Sequence, residues 1–266
     1  MADRINQSVD EENGIRKFKT NPVTLSFIGE ESELEHHFLL EYAAKSLNQL
    51  RFALFSALII YSLFGILDVA LIPDFKNKFW TIRYLIVTPV LLGLLIFSFF
   101  ANFKRIMQLV SAILVIVSAY GILGMMWLAP IDLSNFYFPG IILILIMNYG
   151  FLKERFIWAS SAGIIVVGSF IILSFSLFNT PFLLNVVNSF FLIFVNIIGM
   201  FIAYNMELNS RKEYYSKQLL QIERSKLKTL SARMEAKVKD KSAQIGNLNK
   251  EIQKEMENLS KKNIDR

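Results

Sequence analysis

The sequence predicts an all-α fold, a polytopic bundle of six transmembrane helices whose last span continues into a cytoplasmic parallel coiled coil. Of the 266 residues, 54% are hydrophobic and the mean hydropathy is +0.44, against about 45–50% apolar residues in soluble domains. The apolar excess is concentrated between Phe52 and Tyr204, in runs long enough to span a membrane. No glycine occurs between Gly199 and Gly246 and no proline after Pro181, so one helical pattern leaves the apolar region without interruption.

The N-terminal region predicts a tail followed by an amphipathic helix. Residues 1–29 are polar and mixed in charge, which predicts a disordered tail. In residues 30–51, Leu34, Phe38 and Tyr42 are spaced four apart, which places them on one helical face. We expect a juxtamembrane helix that lies on the inner membrane surface or against partner helices.

The transmembrane domain is predicted over residues 52–206. Its apolar runs are about 17–25 residues long, enough to cross a hydrocarbon core of about 30 Å. The predicted spans are Phe52–Ile72, Arg83–Phe103, Ile106–Leu128, Phe136–Leu152, Phe156–Phe178 and Phe182–Met206. Pro89 lies within the second span and is expected to kink it.

The distribution of basic residues predicts the orientation. With the N-terminus inside, nine Lys and Arg residues flank the inner ends of the spans and three flank the outer ends, which is a positive-inside bias. The inner residues are Lys45, Arg51, Lys104, Arg105, Lys153, Arg155, Arg211, Lys212 and Lys217, and the outer ones are Lys76, Lys78 and Arg83. Both termini are therefore expected in the cytoplasm.

Residues 207–266 predict a cytoplasmic helix with a heptad repeat. The predicted coiled-coil seam consists of Leu220, Leu227, Met234, Val238, Ile245, Leu248, Ile252 and Leu259. β-Branched residues at the later a positions, together with leucine at d positions, favour a parallel two-stranded coiled coil. Lys241 and Glu255 interrupt the d positions, and Gly246 costs about 1 kcal/mol of helix propensity. A solvated single helix is the alternative interpretation.

The same segment carries the excess positive charge. Residues 207–266 contain 15 Lys and Arg against 9 Asp and Glu, which accounts for the net charge of +6 of the whole chain. The basic residues alternate with acidic ones and have no aromatic platform among them. We therefore expect no nucleic-acid partner.

Residues suited to catalysis are scarce. The only histidines, His36 and His37, precede the first span, cysteine is absent, and no phosphate-binding glycine loop or nucleophile–base pair occurs. Glu33, His37 and Glu41 share one helical face, where a solvated surface is favoured over a metal site. The chain as given is predicted to have no catalytic residues, no cofactor and no metal, and not to be an enzyme.

Polar residues within the apolar runs are better candidates for a functional site than these histidines, because charge is costly to bury in lipid. Asp68 lies near the outer end of the first span and Arg83 at the start of the second, so we predict a salt bridge at the outer rim. This pair either pins the two helices together or responds to a ligand. Asn148 and Asn196 are expected to make interhelical hydrogen bonds.

Three stretches occur in a suggestive order: ELEHHFLLEYAAKSLNQLRFALFSALIIYSLFGILD with IRYLIVTPV, then FYFPGIILILIMNYGFLKERFIWASSAG, then NSFFLIFVNIIGMFIAYNMELNSRKEYYSKQLLQIERSKLKTL. They resemble the start, middle and end of the six-span membrane module that precedes bacterial class III adenylate/guanylate cyclases, diguanylate cyclases and histidine kinases. The third contains Asn-x-x-Gly-Met followed by Tyr, Glu and Arg. LSARMEAKVKDKSAQIGNLNKEIQKEMENL is similar to the linker helices of such proteins.

The resemblance implies a homodimeric sensor module in the lipid of the bacterial inner membrane. It would pass a signal through its sixth helix to a cytoplasmic output domain of cyclase or kinase type, in the same longer chain or in a partner. Glu207, Arg211 and Lys212 would mark the point at which the signal leaves the membrane. A small six-span transporter or channel with an oligomerising tail is the alternative, and a passive membrane anchor is a third interpretation.

Overall fold

The computed structural model describes residues 19–100, 103–178 and 180–264, with all side chains in these ranges except those of Glu30 and residues 257–264. Over these residues the fold is all-α without a β-strand, and the one extended pairing is a bridge between Thr20 and Phe27. The long helical segments are α1 (Glu33–Leu71), α2 (Pro73–Phe97), α3 (Phe103–Leu128), α4 (Ile131–Gly150), α5 (Phe156–Ser176) and α6 (Phe182–Ile264). All six are long and apolar enough to cross a membrane.

Prolines stand at three of the helix starts. Pro73 is the first residue of α2, Pro130 immediately precedes α4 and Pro181 immediately precedes α6. Proline is suited to these positions because the first N–H groups of a helix have no acceptor within the helix. The connection between α4 and α5 has no proline. Within it Lys153 adopts a φ of +48°, in the left-handed region that few residues other than glycine occupy.

The second helical segment starts earlier than predicted. It begins at Pro73 rather than at Arg83, because the stretch with Lys76 and Lys78 is helical despite its charges. Within α2 a 3-10 turn (Pro73–Phe75) and an α-helical turn (Lys76–Trp80) precede a π-helix (Thr81–Val87), and a final α-helix covers Thr88–Phe97. A π-helical segment with wider turns lies just before Pro89, and the kink expected at that residue stays a prediction.

Helix α3 forms the centre of the bundle. In its most apolar part 61% of the residues are buried, compared with 22–39% in the other five helices. It packs against α4, α5 and the π-helical part of α2. Small residues such as Ser111, Ala119 and Gly121 on α3 are buried there, which lets neighbouring helices approach closely.

The N-terminal region is more ordered than predicted. Residues 19–29, assigned to a disordered tail, form a tight turn in which Leu25 and Phe27 are buried, and the Asn21 side chain accepts hydrogen bonds from the N–H groups of Val23 and Thr24. The rest of the predicted tail lies outside the described residues. The juxtamembrane helix predicted over residues 30–51 is continuous with the first span, since both belong to α1. Leu34, Phe38 and Tyr42 are all buried, as their spacing predicts.

The last helix is continuous across the predicted membrane exit, with helical geometry from Phe182 to Ile264. The described chain forms two compact units, residues 19–212 and residues 213–264. The first unit contains α1 to α5 and the start of α6. The second is the remainder of α6, in which every side chain from Glu223 to Met256 is exposed.

Candidate functional site

The predicted pair of Asp68 and Arg83 forms a bidentate ion pair. The Nε of Arg83 donates to one carboxylate oxygen of Asp68 at 2.8 Å, and its Nη2 donates to the other at 3.0 Å. The Nη1 of Arg83 donates to the backbone carbonyl of Tyr61 at 2.9 Å. Arg83 therefore ties the π-helical part of α2 to two positions on α1 that lie about two helical turns apart.

This ion pair is buried in the bundle. The side chains of Asp68 and Arg83 are 0% and 3% exposed. The prediction placed Arg83 at the outer start of a span; α2 begins at Pro73, so ten residues of the helix precede Arg83. The position of the pair at the outer rim stays a prediction. Such a pair needs further hydrogen bonds, because desolvation of both charges opposes their attraction.

Tyr137 supplies one of these bonds and was not singled out from the sequence. Its hydroxyl donates to a carboxylate oxygen of Asp68 at 3.0 Å. Tyr137 lies near the start of α4 and is buried, so α4 joins α1 and α2 at the same polar centre. Nothing in its local sequence distinguishes it from the other aromatic residues nearby, because its role depends on a contact 69 positions away.

The two predicted asparagines make interhelical hydrogen bonds. Asn148 on α4 donates to the carbonyl of Ala159 on α5 at 2.9 Å, and Asn196 on α6 accepts from the hydroxyl of Tyr149 at 2.7 Å. The Tyr149 ring fits between Gly163 of α5 and Gly199 of α6, where an added Cβ would overlap it. The glycine of the Asn-x-x-Gly-Met pattern therefore provides space for the ring, and its asparagine accepts the hydrogen bond.

A second charged cluster surrounds Arg211, which is completely buried. Its guanidinium donates to Glu207 at 2.7 and 3.0 Å, and to the two carboxylate oxygens of Glu35 at 2.7 and 3.1 Å. It also lies 4.4 Å from the centre of the Phe38 ring and 5.2 Å from that of Phe27, within range of a cation–π interaction. Arg211 thus holds α6 to the start of α1.

Glu207 extends the cluster to α5. One of its carboxylate oxygens accepts the backbone N–H of Phe156, the first residue of α5, at 2.7 Å. A carboxylate at this position satisfies an N–H that lacks an acceptor in the helix and interacts favourably with the helix dipole. Arg155 makes longer contacts, 3.5 Å to Glu207 and 3.8 Å to Glu35, so two acids and two bases balance in charge.

The sequence identified half of this cluster. Of the three residues assigned to the membrane exit, Glu207 and Arg211 lie at its centre, whereas Lys212 is exposed. Glu35 and Arg155 were not assigned this role, because Glu35 is 176 positions from Arg211 in the chain. Burial by itself would raise the pKa of Glu35, but hydrogen bonds from Arg211 and the Phe27 N–H, with the charges of Arg211 and Arg155, hold the pKa below its ordinary value.

Glu154, which precedes Arg155 of the cluster, is a buried acid without a charged partner among the described residues. It is 5% exposed, and neither carboxylate oxygen has a hydrogen-bond partner in the described part of the chain. Burial raises the pKa of Glu154 to about 8, and the nearby Ser111 hydroxyl opposes this shift only in part, since it donates to the Met107 carbonyl. Glu154 is therefore predominantly protonated at neutral pH.

The predicted seam is an exposed apolar stripe in the second unit. Leu220 is 48% exposed, and the others up to Ile252 are 49–64% exposed. These are Leu227, Met234, Val238, Ile245, Leu248 and Ile252. Leu259 lies in the helix, but its side chain is outside the described set.

His36 and His37 are exposed on α1, and no group of three His, Cys, Asp or Glu side chains in the described ranges is placed to hold a metal ion. The sequence matches no protein-family model and no curated protein.

Proposed function

We propose that this protein is a membrane-embedded sensor and dimerisation module that transmits a signal through α6 to a cytoplasmic output domain of cyclase or kinase type. The output domain would belong to the same longer chain or to a partner. The observation that carries the proposal is the Arg211 cluster on a helix that continues unbroken into the heptad region. The proposal gives this chain no catalytic role.

The cluster supports signal transmission because it makes α6 sensitive to the rest of the bundle. Arg211 and Glu207 lie one helical turn apart on α6 and bind both the start of α1 and the start of α5. A displacement of either helix would therefore be transferred to α6 at this level. Packed interfaces of this kind switch between discrete arrangements rather than deforming continuously.

The heptad region supports dimerisation. A stripe of exposed leucine, isoleucine and valine side chains on a solvated helix is stabilised by burial against a second copy. In a parallel dimer, a rotation or shift of α6 at the cluster would alter the register or phase of the coiled coil. The output domain would respond to that change.

The orientation we propose places both termini in the cytoplasm and the six apolar helices in the inner membrane. The excess of basic residues at one set of helix ends supports this placement. In this orientation the Arg211 cluster lies at the cytoplasmic side and the Asp68–Arg83 pair is nearer the outer side. A stimulus acting at the latter would reach the former through the packed helices.

Insertions in α6 test the proposal. One residue inserted after Glu223, where the flanking side chains are exposed, rotates the following helix by about 100°, whereas seven residues add about two full turns. In a fusion to an adenylate cyclase domain we expect one- and two-residue insertions to change cyclic AMP output strongly and the seven-residue insertion to restore it. Equal output from all three fusions would overturn the mechanism.

A flux assay addresses the transporter alternative. For a sensor we expect no solute flux in reconstituted vesicles, with or without residues 213–266. Solute flux that persists after removal of this segment would favour a transporter. The third interpretation is tested separately: if an unrelated dimeric membrane anchor replaces residues 1–206 and regulation of the output domain is retained, the protein is a passive scaffold.

A further inference from the structure

The connection between α2 and α3 is surrounded by basic side chains. Arg51 of α1 contacts the end of α2, where its Nε donates to the hydroxyl of Ser98 at 3.3 Å and its Nη2 donates to the Ser98 carbonyl at 2.7 Å. Lys104 and Arg105 are exposed in the first turn of α3. Two helices thus place positive charge near the end of a third.

The chain between α2 and α3 is short and folds back on itself. Helix α2 ends at Phe97, and the ring of this residue packs edge-on against the ring of Phe103, with 5.6 Å between the ring centres. The N–H of Phe103 donates to the carbonyl of Phe100 at 3.1 Å. The end of α2 and the start of α3 are therefore in contact, and Lys104 follows directly.

These three basic residues have no acidic partner. Within the described ranges, no carboxylate forms an ion pair with Arg51, Lys104 or Arg105. The buried residues Arg83 and Arg211, by comparison, each bind a carboxylate. Positive charge in the first turn of a helix also opposes the helix dipole, so Lys104 and Arg105 do not serve the stability of α3. An anion from outside the chain would supply the missing counter-charge.

Arg51 has donors left for such an anion. Its partners in the described part of the chain are all neutral, since the third is the side-chain oxygen of Asn48, 3.5 Å from Nη1. At most three of its five N–H groups are used in this way. The contact with Asn48 lies at the surface, so the Nη1 end of the guanidinium is accessible.

Aromatic side chains next to this charge supply an apolar surface. Phe99 and Phe100 follow Ser98 directly and are 66% and 61% exposed. The guanidinium of Arg51 lies 4.3 Å from the centre of the Phe99 ring, within range of a cation–π interaction. Aromatic rings beside basic side chains are suited to the boundary between acyl chains and headgroups. A molecule that complements both features has an apolar chain and a negatively charged head.

We propose that the connection between α2 and α3 binds a phospholipid with a net negative headgroup, whose phosphate contacts Lys104, Arg105 and the exposed end of Arg51. Its acyl chains pack against Phe99 and Phe100. Basic sites between helices at the cytoplasmic side of a membrane protein are suited to such headgroups. The proposal rests on the proposed function in one respect, the placement of these residues at the inner membrane surface. The binding itself requires no output domain.

A photo-reactive side chain at Phe100 tests the binding. The full chain with p-benzoylphenylalanine at this exposed position is placed in nanodiscs of phosphatidylcholine that contain about one part in ten of phosphatidylglycerol. After irradiation, mass spectrometry identifies the attached lipids. We expect phosphatidylglycerol to be enriched at least about fivefold among the adducts relative to the bilayer, as the attraction of a single basic residue would give. Adducts that match the composition of the bilayer would overturn the proposal.

A second position controls for general attraction to a basic protein. Phe182, at the start of α6, is 74% exposed, and neither lysine nor arginine occurs between Arg155 and Arg211. With the photo-reactive side chain at Phe182, we expect adducts that follow the composition of the bilayer. Equal enrichment of phosphatidylglycerol at Phe100 and Phe182 would refute a defined site.

Matched charge variants locate the headgroup. In the chain labelled at Phe100, Lys104→Gln/Arg105→Gln should remove most of the enrichment. Lys76→Gln/Lys78→Gln, which also removes two exposed charges but at the start of α2, should leave it unchanged. Because the two double variants lower the net charge equally, equal losses would mean that only overall charge matters and would overturn the assignment.

Two further comparisons separate the sources of the anion and the two proposals. Excess glycerol phosphate, which lacks acyl chains, should not reduce the phosphatidylglycerol adducts; effective competition would assign the site to a soluble anion and refute a lipid site. Both faces of a nanodisc contain the same lipids, so the result does not depend on the orientation of the chain. Enrichment together with output that ignores the insertions in α6 would retain the lipid site and refute the signalling proposal. Phase-dependent output without enrichment would retain the signalling proposal and refute the lipid site.

Discussion

At the scale of single residues, the buried ion pair between Asp68 and Arg83 combines full burial with complete charge compensation. The carboxylate accepts two bonds from Arg83 and one from Tyr137. Each partner is acceptable in the interior only because the other is present. The pair is therefore expected to be important for the stability of the bundle, whatever its role in signalling.

Removal of one partner tests this dependence. Asp68→Asn leaves the Arg83 charge buried without a counter-ion, and we expect a loss of about 3–5 kcal/mol in the free energy of unfolding, as for other broken buried pairs. Asp74→Asn, at an exposed position at the start of α2, should cost less than about 0.5 kcal/mol. Denaturant unfolding in detergent micelles measures both. A double variant Asp68→Leu/Arg83→Met should regain much of the loss, and a loss equal to that of Asp68→Asn would contradict this explanation.

Glu154 makes stability depend on pH. Its carboxyl has an ordinary pKa of 4.5 when unfolded and about 8 when buried in the folded protein. Between these values the folded protein holds a proton that the unfolded chain has released, so the free energy of unfolding decreases as the pH rises from about 4.5 to about 8. The free energy of unfolding decreases by at most about 1.4 kcal/mol for each pH unit in this range.

Glu154→Gln remains neutral throughout this range and should lose this decrease. We expect the variant and the parent to unfold at similar temperatures at pH 5, and the variant to unfold at the higher temperature at pH 8. Thermal unfolding monitored by circular dichroism across this range gives the comparison. Glu223→Gln, at an exposed position of α6, is the matched control, and parallel curves for Glu154→Gln and the parent would show that the carboxyl is not buried as described.

At the scale of the elements, the helix pattern followed from the sequence more completely than the contacts between helices. Apolar runs with short polar breaks predict six long helices because hydrophobicity and length are local properties. The earlier start of α2 was missed because Lys76 and Lys78 lower the local hydropathy without preventing a helix. Glu35, Arg155 and Tyr137 were missed for another reason: their partners are distant in the chain, and no local spacing records such a contact.

The packing of α4, α5 and α6 around Tyr149 depends on Gly163 and Gly199, which leave space for its ring. Gly163 and Gly168 lie on the same helix, but an added Cβ would overlap Tyr149 and Asn196 at Gly163 and would meet nothing at Gly168. We expect Gly163→Val to lower the unfolding temperature by several degrees or to prevent folding, and Gly168→Val to have little effect. The milder Gly163→Ala keeps the comparison measurable if the valine variant does not fold. Equal effects at the two positions would argue against this packing.

The attachment of α6 to α1 depends on Arg211. Arg211→Gln leaves the carboxylates of Glu35 and Glu207 close together with only the longer contacts to Arg155. We therefore expect faster amide hydrogen exchange in residues 25–35 and 204–211. Lys212→Gln removes a neighbouring exposed charge and should leave exchange unchanged. Similar exchange in both variants would mean that the cluster does not hold these segments together.

At the scale of the whole molecule, the two parts of α6 differ in their interactions: the first part contacts other helices of the same chain, and the second part is exposed. Residues 182–212 contact α4, α5 and α1 through hydrogen bonds and ion pairs, and through the close approach of the Tyr149 ring to Gly199. From Glu223 onward the helix has no described side chain that is buried, and its apolar stripe is exposed. A single chain thus satisfies the first part and leaves the second part to be stabilised by a partner, which is why the proposed function requires a dimer.

Cysteine crosslinking tests the dimer and its direction together, because the chain has no native cysteine. In a parallel two-stranded coiled coil, identical d residues face each other closely enough for a disulfide, whereas f residues point outward. We expect Leu248→Cys to form disulfide-linked dimers rapidly in nanodiscs and Ala243→Cys, at an f position five residues earlier, to form few. An antiparallel pair would bring residues of different number together, so neither single variant would crosslink efficiently. Equal crosslinking at both positions would indicate random collision and contradict the predicted seam.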